Sequence, residues 1–98
     1  MQSAKNYRDS LLKSLKDPSE AAEYINAAIE EDDLDTVLLA LRDVAEARGM
    51  STISRRSKLN RVSLYKMLSR RGNPHLQSVM HLLQAAGLKL SVGVRSAV

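Results

Sequence analysis

The stretch Gly49 to Pro74, GMSTISRRSKLNRVSLYKMLSRRGNP, decides how the whole chain is read. It holds two short helical patterns separated by a tight break at Leu59-Asn60. The first runs from Ser51 to Ser57, with Ser51 as N-cap and Ile53 pointing inward. The second runs from Arg61 to Arg70, with Asn60 as N-cap and Leu64, Met67 and Leu68 on one face at i, i+3 and i+4. A short helix, a turn of three to four residues and a second capped helix make a helix-turn-helix, whose second helix enters the major groove of DNA. Between Ser51 and Pro74 the chain carries Arg55, Arg56, Lys58, Arg61, Lys66, Arg70 and Arg71 and no acidic residue. That pattern suits a phosphate backbone.

The leading residues of the second helix, Arg61, Val62 and Ser63, are expected to face base edges, with Lys66 one turn on. Arg reads guanine by a bidentate contact, and Val can meet a thymine methyl. Ser51 and Thr52 open the first helix, whose N-terminus is both a capping site and a natural phosphate site. Arg55, Arg56, Arg70 and Arg71 are expected beside phosphates rather than bases. Tyr65 has two roles open to it: its ring against the core, or its hydroxyl on a phosphate.

Upstream, Tyr7, Leu11, Leu12 and Leu15 give residues 1–16 the apolar side of a short helix, with the first few residues fraying. Asp17-Pro18-Ser19-Glu20 is a strong helix start, with an acidic N-cap, Pro at N1 and Glu at N3. The helix it opens buries Ala21, Ala22, Ile25, Ala28 and Ile29. Glu30-Glu31-Asp32-Asp33 breaks that pattern, and Asp32 or Asp33 caps the next helix, where acid suits the dipole. Leu34, Val37, Leu38, Leu41 and Ala45 form its stripe, and Gly49 closes it after Arg48. Downstream, Asn73 is expected to cap a helix that starts at Pro74 and carries Leu76, Val79, Met80, Leu82, Leu83 and Ala86. Gly87 closes that helix.

The period then changes to two: Leu88, Leu90, Val92 and Val94 alternate with Lys89, Ser91, Gly93 and Arg95, as in a half-buried strand. A lone strand leaves its ladder groups unpaired, and no second strand is visible in the sequence, so another chain is expected to supply it. The expected fold is all-α: one five- to six-helix domain over residues 1–98 with a short C-terminal β-strand. Its parts are acidic helices over 1–47, the helix-turn-helix and following helix over 48–87, and the strand over 88–95.

Charge is divided along the chain. Residues 1–47 carry five basic and eleven acidic residues, a net of −6, whereas residues 48–98 carry ten basic and none acidic, a net of +10. Two faces of opposite sign imply two different partners. The basic half suits double-stranded DNA, because each neutralised phosphate releases counterions. The acidic half is repelled by DNA and free to meet something basic. With no cysteine in its 98 residues, the chain can form neither a disulfide nor a thiolate metal site, which fits a reducing cytoplasm. No apolar run approaches the roughly 20 residues a membrane span needs, and the start has no secretory apolar region.

His75 and His81 fall on different faces of one expected helix, which argues against a metal site. The Glu30 to Asp33 run lacks the pattern of a calcium loop. Ser, His and Asp are present, but no glycine elbow or phosphate-cradling loop assembles them, so neither an enzyme nor a cofactor is expected.

The order GMS…S…LNRVSLYKML…GNPHLQSVMHLLQAAGLKLSV resembles the Xre/Cro-type antitoxins of the phage-derived addiction-module antidote group, relatives of the HigA-like antitoxins. The resemblance covers nearly the whole chain and is densest over Met50–Val92. Two positions depart from it: Lys58 stands where such turns often carry Gly, and Ser54 where the first helix usually has Ala. Pairing of the C-terminal strand with that of a second subunit implies a homodimer and hence a palindromic operator. The resemblance implies an antitoxin that neutralises a small basic RelE/HigB-like toxin encoded beside it and represses its own operon. The alternatives are a phage-type transcriptional regulator without a toxin partner and a helical adaptor whose basic face meets acidic protein or RNA.

Overall fold

The computed structural model describes residues 4–96. The fraying expected of the first few residues concerns positions 1–3, which lie outside the described residues. Six helices follow in order: α1 (Ala4–Ser14), α2 (Pro18–Glu30), α3 (Leu34–Arg48), α4 (Met50–Ser57), α5 (Arg61–Met67) and α6 (Leu76–Ala85). α3 is the spine, packing against α1, α2 and α4, while α4 also meets α5 and α6.

Local chemistry accounts for each boundary. Asp17 caps α2 by accepting from the Ser19 N–H at 2.9 Å, and Pro18 begins the helix where its missing N–H costs nothing. Asp32 takes a left-handed conformation (φ 58°), which Asp tolerates better than most residues, and so turns the chain between α2 and α3. Asp33 is the N-cap of α3, but its carboxylate accepts from the Thr36 hydroxyl at 2.7 Å rather than from a backbone N–H. Gly49 (φ 95°) ends α3 and is also the N-cap of α4, so the two helices are joined through one residue.

α6 closes with Gly87 N–H donating to the Gln84 carbonyl at 3.0 Å and Leu88 N–H donating to the Leu83 carbonyl at 2.7 Å. Gly87 sits at φ 80°, and the pair of bonds is a Schellman motif with Leu88 folded back on the core.

The core is one continuous cluster drawn from all six helices or their ends. Leu15, Ile25, Leu38, Leu41, Val44, Ile53, Leu64, Leu68, Leu82 and Leu83 fill it, and Ala21, Ala28, Ala40, Ala45, Ala47 and Ala85 let the helices approach closely. Not every residue of the expected stripes is inside. Tyr7 is 67 % exposed, and Ile29, Leu34, Leu76 and Met80 also face solvent, because a stripe seen in sequence is wider than the groove that receives it.

Several expected boundaries are corrected. Ser51 is not an N-cap: α4 starts one residue earlier, because Gly49 supplies the break and the Ile53 N–H already bonds to the Gly49 carbonyl at 3.0 Å. α5 ends at Met67 rather than Arg70. Its exit is tightened by Ser69 N–H to the Lys66 carbonyl at 3.3 Å and by a left-handed Arg71 (φ 62°). Asn73 does not cap the last helix; His75 is its N-cap, and Pro74 lies before it. The expected strand over 88–95 is also absent among the described residues. A strand exists only as a paired ladder, and this single chain offers residues 88–95 no second extended segment.

The turn after α5 depends on Gly72, where an added Cβ would lie 2.4 Å from the Met67 carbonyl oxygen and 2.9 Å from that of Ser69. Both obstacles are backbone and cannot swing aside. Gly72→Ala is therefore expected to destabilise the fold by about 1–3 kcal/mol, measured as a lower midpoint in urea unfolding followed by circular dichroism.

Candidate nucleic-acid interface

α5 has seven residues and cannot hold itself as an isolated helix. Three features fix it. Asn60 accepts from the Ser63 N–H at 2.7 Å, closing the N-terminus. Leu64 (0 % exposed) and Leu68 (2 %) drive the inner face into the core. The turn that precedes it is stapled by Ser54, whose hydroxyl donates to the Leu59 carbonyl at 2.6 Å, and by the buried Ser57 hydroxyl, which accepts from the Leu59 N–H at 3.3 Å. Ser54 thus has a hydrogen-bonding task that Ala could not perform. Lys58 does adopt the left-handed conformation (φ 62°, ψ 22°), the strain its position in the sequence implies.

With its inner face pinned, α5 turns Arg61, Val62, Ser63 and Lys66 to solvent, and Val62 is 72 % exposed. Val62 and Lys66 are four apart and Ser63 and Lys66 three apart, so these side chains share one surface. Arg55 and Arg56 are exposed on α4. Ser51 is exposed and Thr52 half-buried in the first turn of α4, ahead of its first helical hydrogen bond.

Arg70 and Arg71 are exposed too, but they meet the acidic half of the chain. Arg71 N–H donates to Asp35 Oδ1 at 2.8 Å, and Arg70 Nε lies 3.7 Å from Asp35 Oδ2. That link joins residues 36 positions apart and leaves no local pattern to read.

Tyr65 resolves neither of its two expected roles as stated. Its ring lies beneath the guanidinium of Arg42, with the Arg42 carbon 5.4 Å from the ring centroid, a cation–π contact between α3 and α5. Arg42 Nε also donates to Glu46 Oε1 at 3.2 Å, and Glu46 is paired with Arg8 of α1. Arg8 Nη1 lies 3.2 Å from Asp43 Oδ1 as an ion pair, off the alignment of a hydrogen bond. The other oxygen of this buried carboxylate accepts from the Tyr24 hydroxyl at 2.6 Å. A chain of polar contacts therefore runs from α2 through α3 and α1 to α5. Of its links only Arg42–Glu46, four apart on one helix, is local in sequence.

The electrostatics follow from the packing. The hydrogen bond that Arg8 donates to Glu46 raises the guanidinium pKa above its usual value. Burial alone would push the Glu46 carboxyl up, but hydrogen bonds from Arg8 and Arg42 outweigh it and hold the group below the usual carboxylate range. Burial, together with the bond to Asp43, pushes the Tyr24 hydroxyl up to about 12.

Among the described residues no three His, Cys, Asp or Glu side chains are grouped to hold a metal ion, and no helix is long and apolar enough to cross a membrane. His75 lies at the N-cap of α6 and His81 within it, both exposed, so the two do not share one helix as expected.

Residues 6–94 match the family model described as "Probable addiction module antidote protein". The chain belongs to this antidote family. The chain is also 42 % identical over 69 residues to an uncharacterised protein of Haemophilus influenzae, an alignment covering 70 % of this chain and 71 % of the relative. No solved structure matches it. Membership carries a general consequence, since an antidote implies a toxin as partner.

Two measurements on the protein test this geometry. Lys58→Gly relieves the left-handed strain and is expected to stabilise the fold by up to about 1 kcal/mol, less whatever entropy Gly adds to the unfolded chain. Glu46 has a lowered carboxyl pKa, so its contribution to stability is fully present above the ordinary value of 4.5 and is lost as pH falls below that through the folded-state value. Glu46→Gln is accordingly expected to lower the melting temperature at pH 7, with the gap to the wild type narrowing below pH 4.5.

Proposed function

We propose that this antidote is a sequence-specific DNA-binding repressor of the Xre/Cro, HigA-like type, with α4 and α5 as its helix-turn-helix. In this reading it neutralises a RelE/HigB-like toxin encoded beside it and represses the operon that encodes both. The single observation that carries the DNA part is α5: a capped helix, pinned by Leu64 and Leu68, with Arg61, Val62, Ser63 and Lys66 exposed in a stretch free of acid. Arg61 takes the bidentate contact with a guanine, and Val62 meets a thymine methyl. The first-turn N–H groups of α4 at Ser51 and Thr52 receive a phosphate, and Arg55, Arg56, Arg70 and Arg71 line the backbone on either side.

The protein acts in the cytoplasm by binding rather than catalysis, and as a homodimer. Two recognition helices about 34 Å apart reach successive major-groove half-sites, so the operator is an inverted repeat. The toxin meets the acidic half, on α1 to α3, away from α5. Support for that placement is the net of −6 over residues 1–47 against +10 over the rest, which leaves one face unsuited to DNA.

Gel-shift titration against the DNA upstream of the protein's own gene tests the reading. Arg61→Ala is expected to cost roughly 1–3 kcal/mol on the specific site and to relax preference at one base pair. Arg55→Ala weakens specific and nonspecific binding alike and lowers the salt slope by about 0.9. Arg70→Ala lowers it by less, because Asp35 already shares that charge. Normal operator binding by Arg61→Ala would remove α5 from the role of recognition helix.

For the toxin, Glu30→Lys with Glu31→Lys is expected to impair capture of the product of the adjoining gene while sparing DNA binding. Absence of any such complex in the wild type would favour a phage-type regulator instead.

A further inference from the structure

After Leu88 the chain runs out of α6 as a segment whose alternating apolar side is open. Leu90 is 45 % exposed, Val92 96 % and Val94 100 %. Beyond the Leu88 N–H, no backbone hydrogen bond is formed by residues 89–96 among the described residues. An unpaired run of this kind is a template for another strand, and contiguous exposed apolar side chains mark an interaction surface. Alongside it opens an apolar groove of about 310 Å³, lined by Ile25, Ile29, Leu83, Leu88 and Leu90.

We infer that the segment is covered by the same segment of a second copy, as an antiparallel two-stranded ribbon centred on Ser91. This deepens the dimer proposed above and rests on it. The choice of occupant comes from self-complementarity. Identical strands paired antiparallel are related by a two-fold axis, so one set of contacts is made twice and both ladders are satisfied.

The register follows from which side chains then face each other. To set apolar against apolar, the two-fold must pass through one residue of the segment, because a shift of one position puts the valines opposite the polar side. Centred on Ser91, Leu90 faces Val92, Leu88 faces Val94 and Lys89 faces Gly93, which has no side chain and nothing near it. Centred on Val92, Lys89 would face Arg95 twice, and like charges directly opposite are destabilising. Centred on Leu90, Val94 would fall opposite Ala86, which the Schellman turn already holds, and the ladder shortens. Ser91 is thus the centre at which Leu88, Leu90, Val92 and Val94 all face apolar partners with no cation pair. In it the partner subunit's Val94 lies over Leu88, at the edge of the open groove.

The absence of cysteine makes the test direct. A residue on the two-fold lies roughly 4.5–5.5 Å, Cα to Cα, from its own copy, within the range a disulfide spans, whereas a residue one place off is a diagonal neighbour at about 7–8 Å. Full-length Ser91→Cys is therefore expected to form a covalent dimer under mild oxidation much faster than Val92→Cys, Leu90→Cys or the exposed control Ser10→Cys. In sedimentation equilibrium the wild type is expected to dimerise, with Val92→Asp raising the dimer dissociation constant at least about tenfold while circular dichroism stays unchanged.

Faster oxidation of Val92→Cys or Leu90→Cys would overturn the register. A dimer unaffected by Val92→Asp, with Ser91→Cys no faster than the control, would overturn the surface. A wild type that stays monomeric would overturn the pairing altogether and leave the segment to another partner. None of these outcomes bears on whether α5 binds DNA, which gel shift decides separately.

Discussion

The insertion of Leu64 and Leu68 into the core is the constraint on which the basic face depends. α5 is about two turns long and has little stability of its own, so its direction is whatever those two side chains impose. Burying a leucine contributes on the order of 2 kcal/mol, more than one cap or one surface ion pair. Asn60 and Ser54 then decide details: where the helix begins, and how tightly the turn before it is drawn. The outward residues owe their exposure to these inward ones. Arg61, Val62, Ser63 and Lys66 are presented because the opposite side of the helix has nowhere else to go.

A second dependence joins the two halves of opposite charge. Asp43 is buried, and a lone carboxylate there would be costly; Tyr24 and Arg8 make it tolerable. Arg8 at the same time serves Glu46, and Glu46 orients Arg42 over the ring of Tyr65. Asp35 makes a further tie, holding the exit of α5 through the Arg71 N–H. The acidic helices are therefore more than a separate surface. They brace the short helix at Tyr65 and again just beyond its C-terminal end.

Much of this was legible in the residue pattern, for physical reasons. Helix starts at Asp17-Pro18 and at Asn60 were readable because a cap is a local event, and so was the helix stop at Gly49, which needs a positive φ. The inward set of α5 was readable because three apolar residues at helical spacing leave little choice. What failed was mostly a matter of one or two residues at ends: Ser51 has the chemistry of a cap, but Gly49 has the conformation, and conformation prevailed. The contacts of Arg70, Arg71 and Tyr65 could not be read, since each depends on a side chain more than twenty positions away. The segment over 88–95 shows a different limit. Its period of two describes a side-chain alternation, while a strand is a property of two backbones.

The junction at Gly49 leaves no slack between the longest helix and the one that leads into the turn. Because a single residue ends α3 and begins α4, an extra residue placed there would change the direction and offset at which α4 leaves α3. Ile53 and Ser57, now buried, would be displaced, and α5 with them. The exposed turn at Glu31 and Asp32, by contrast, has side chains that touch little and can lengthen ahead of the Asp33 cap. The chain therefore tolerates changes of length unevenly: it is permissive before α3 and rigid after it, at the point where the spacing between the helical spine and the basic face is set.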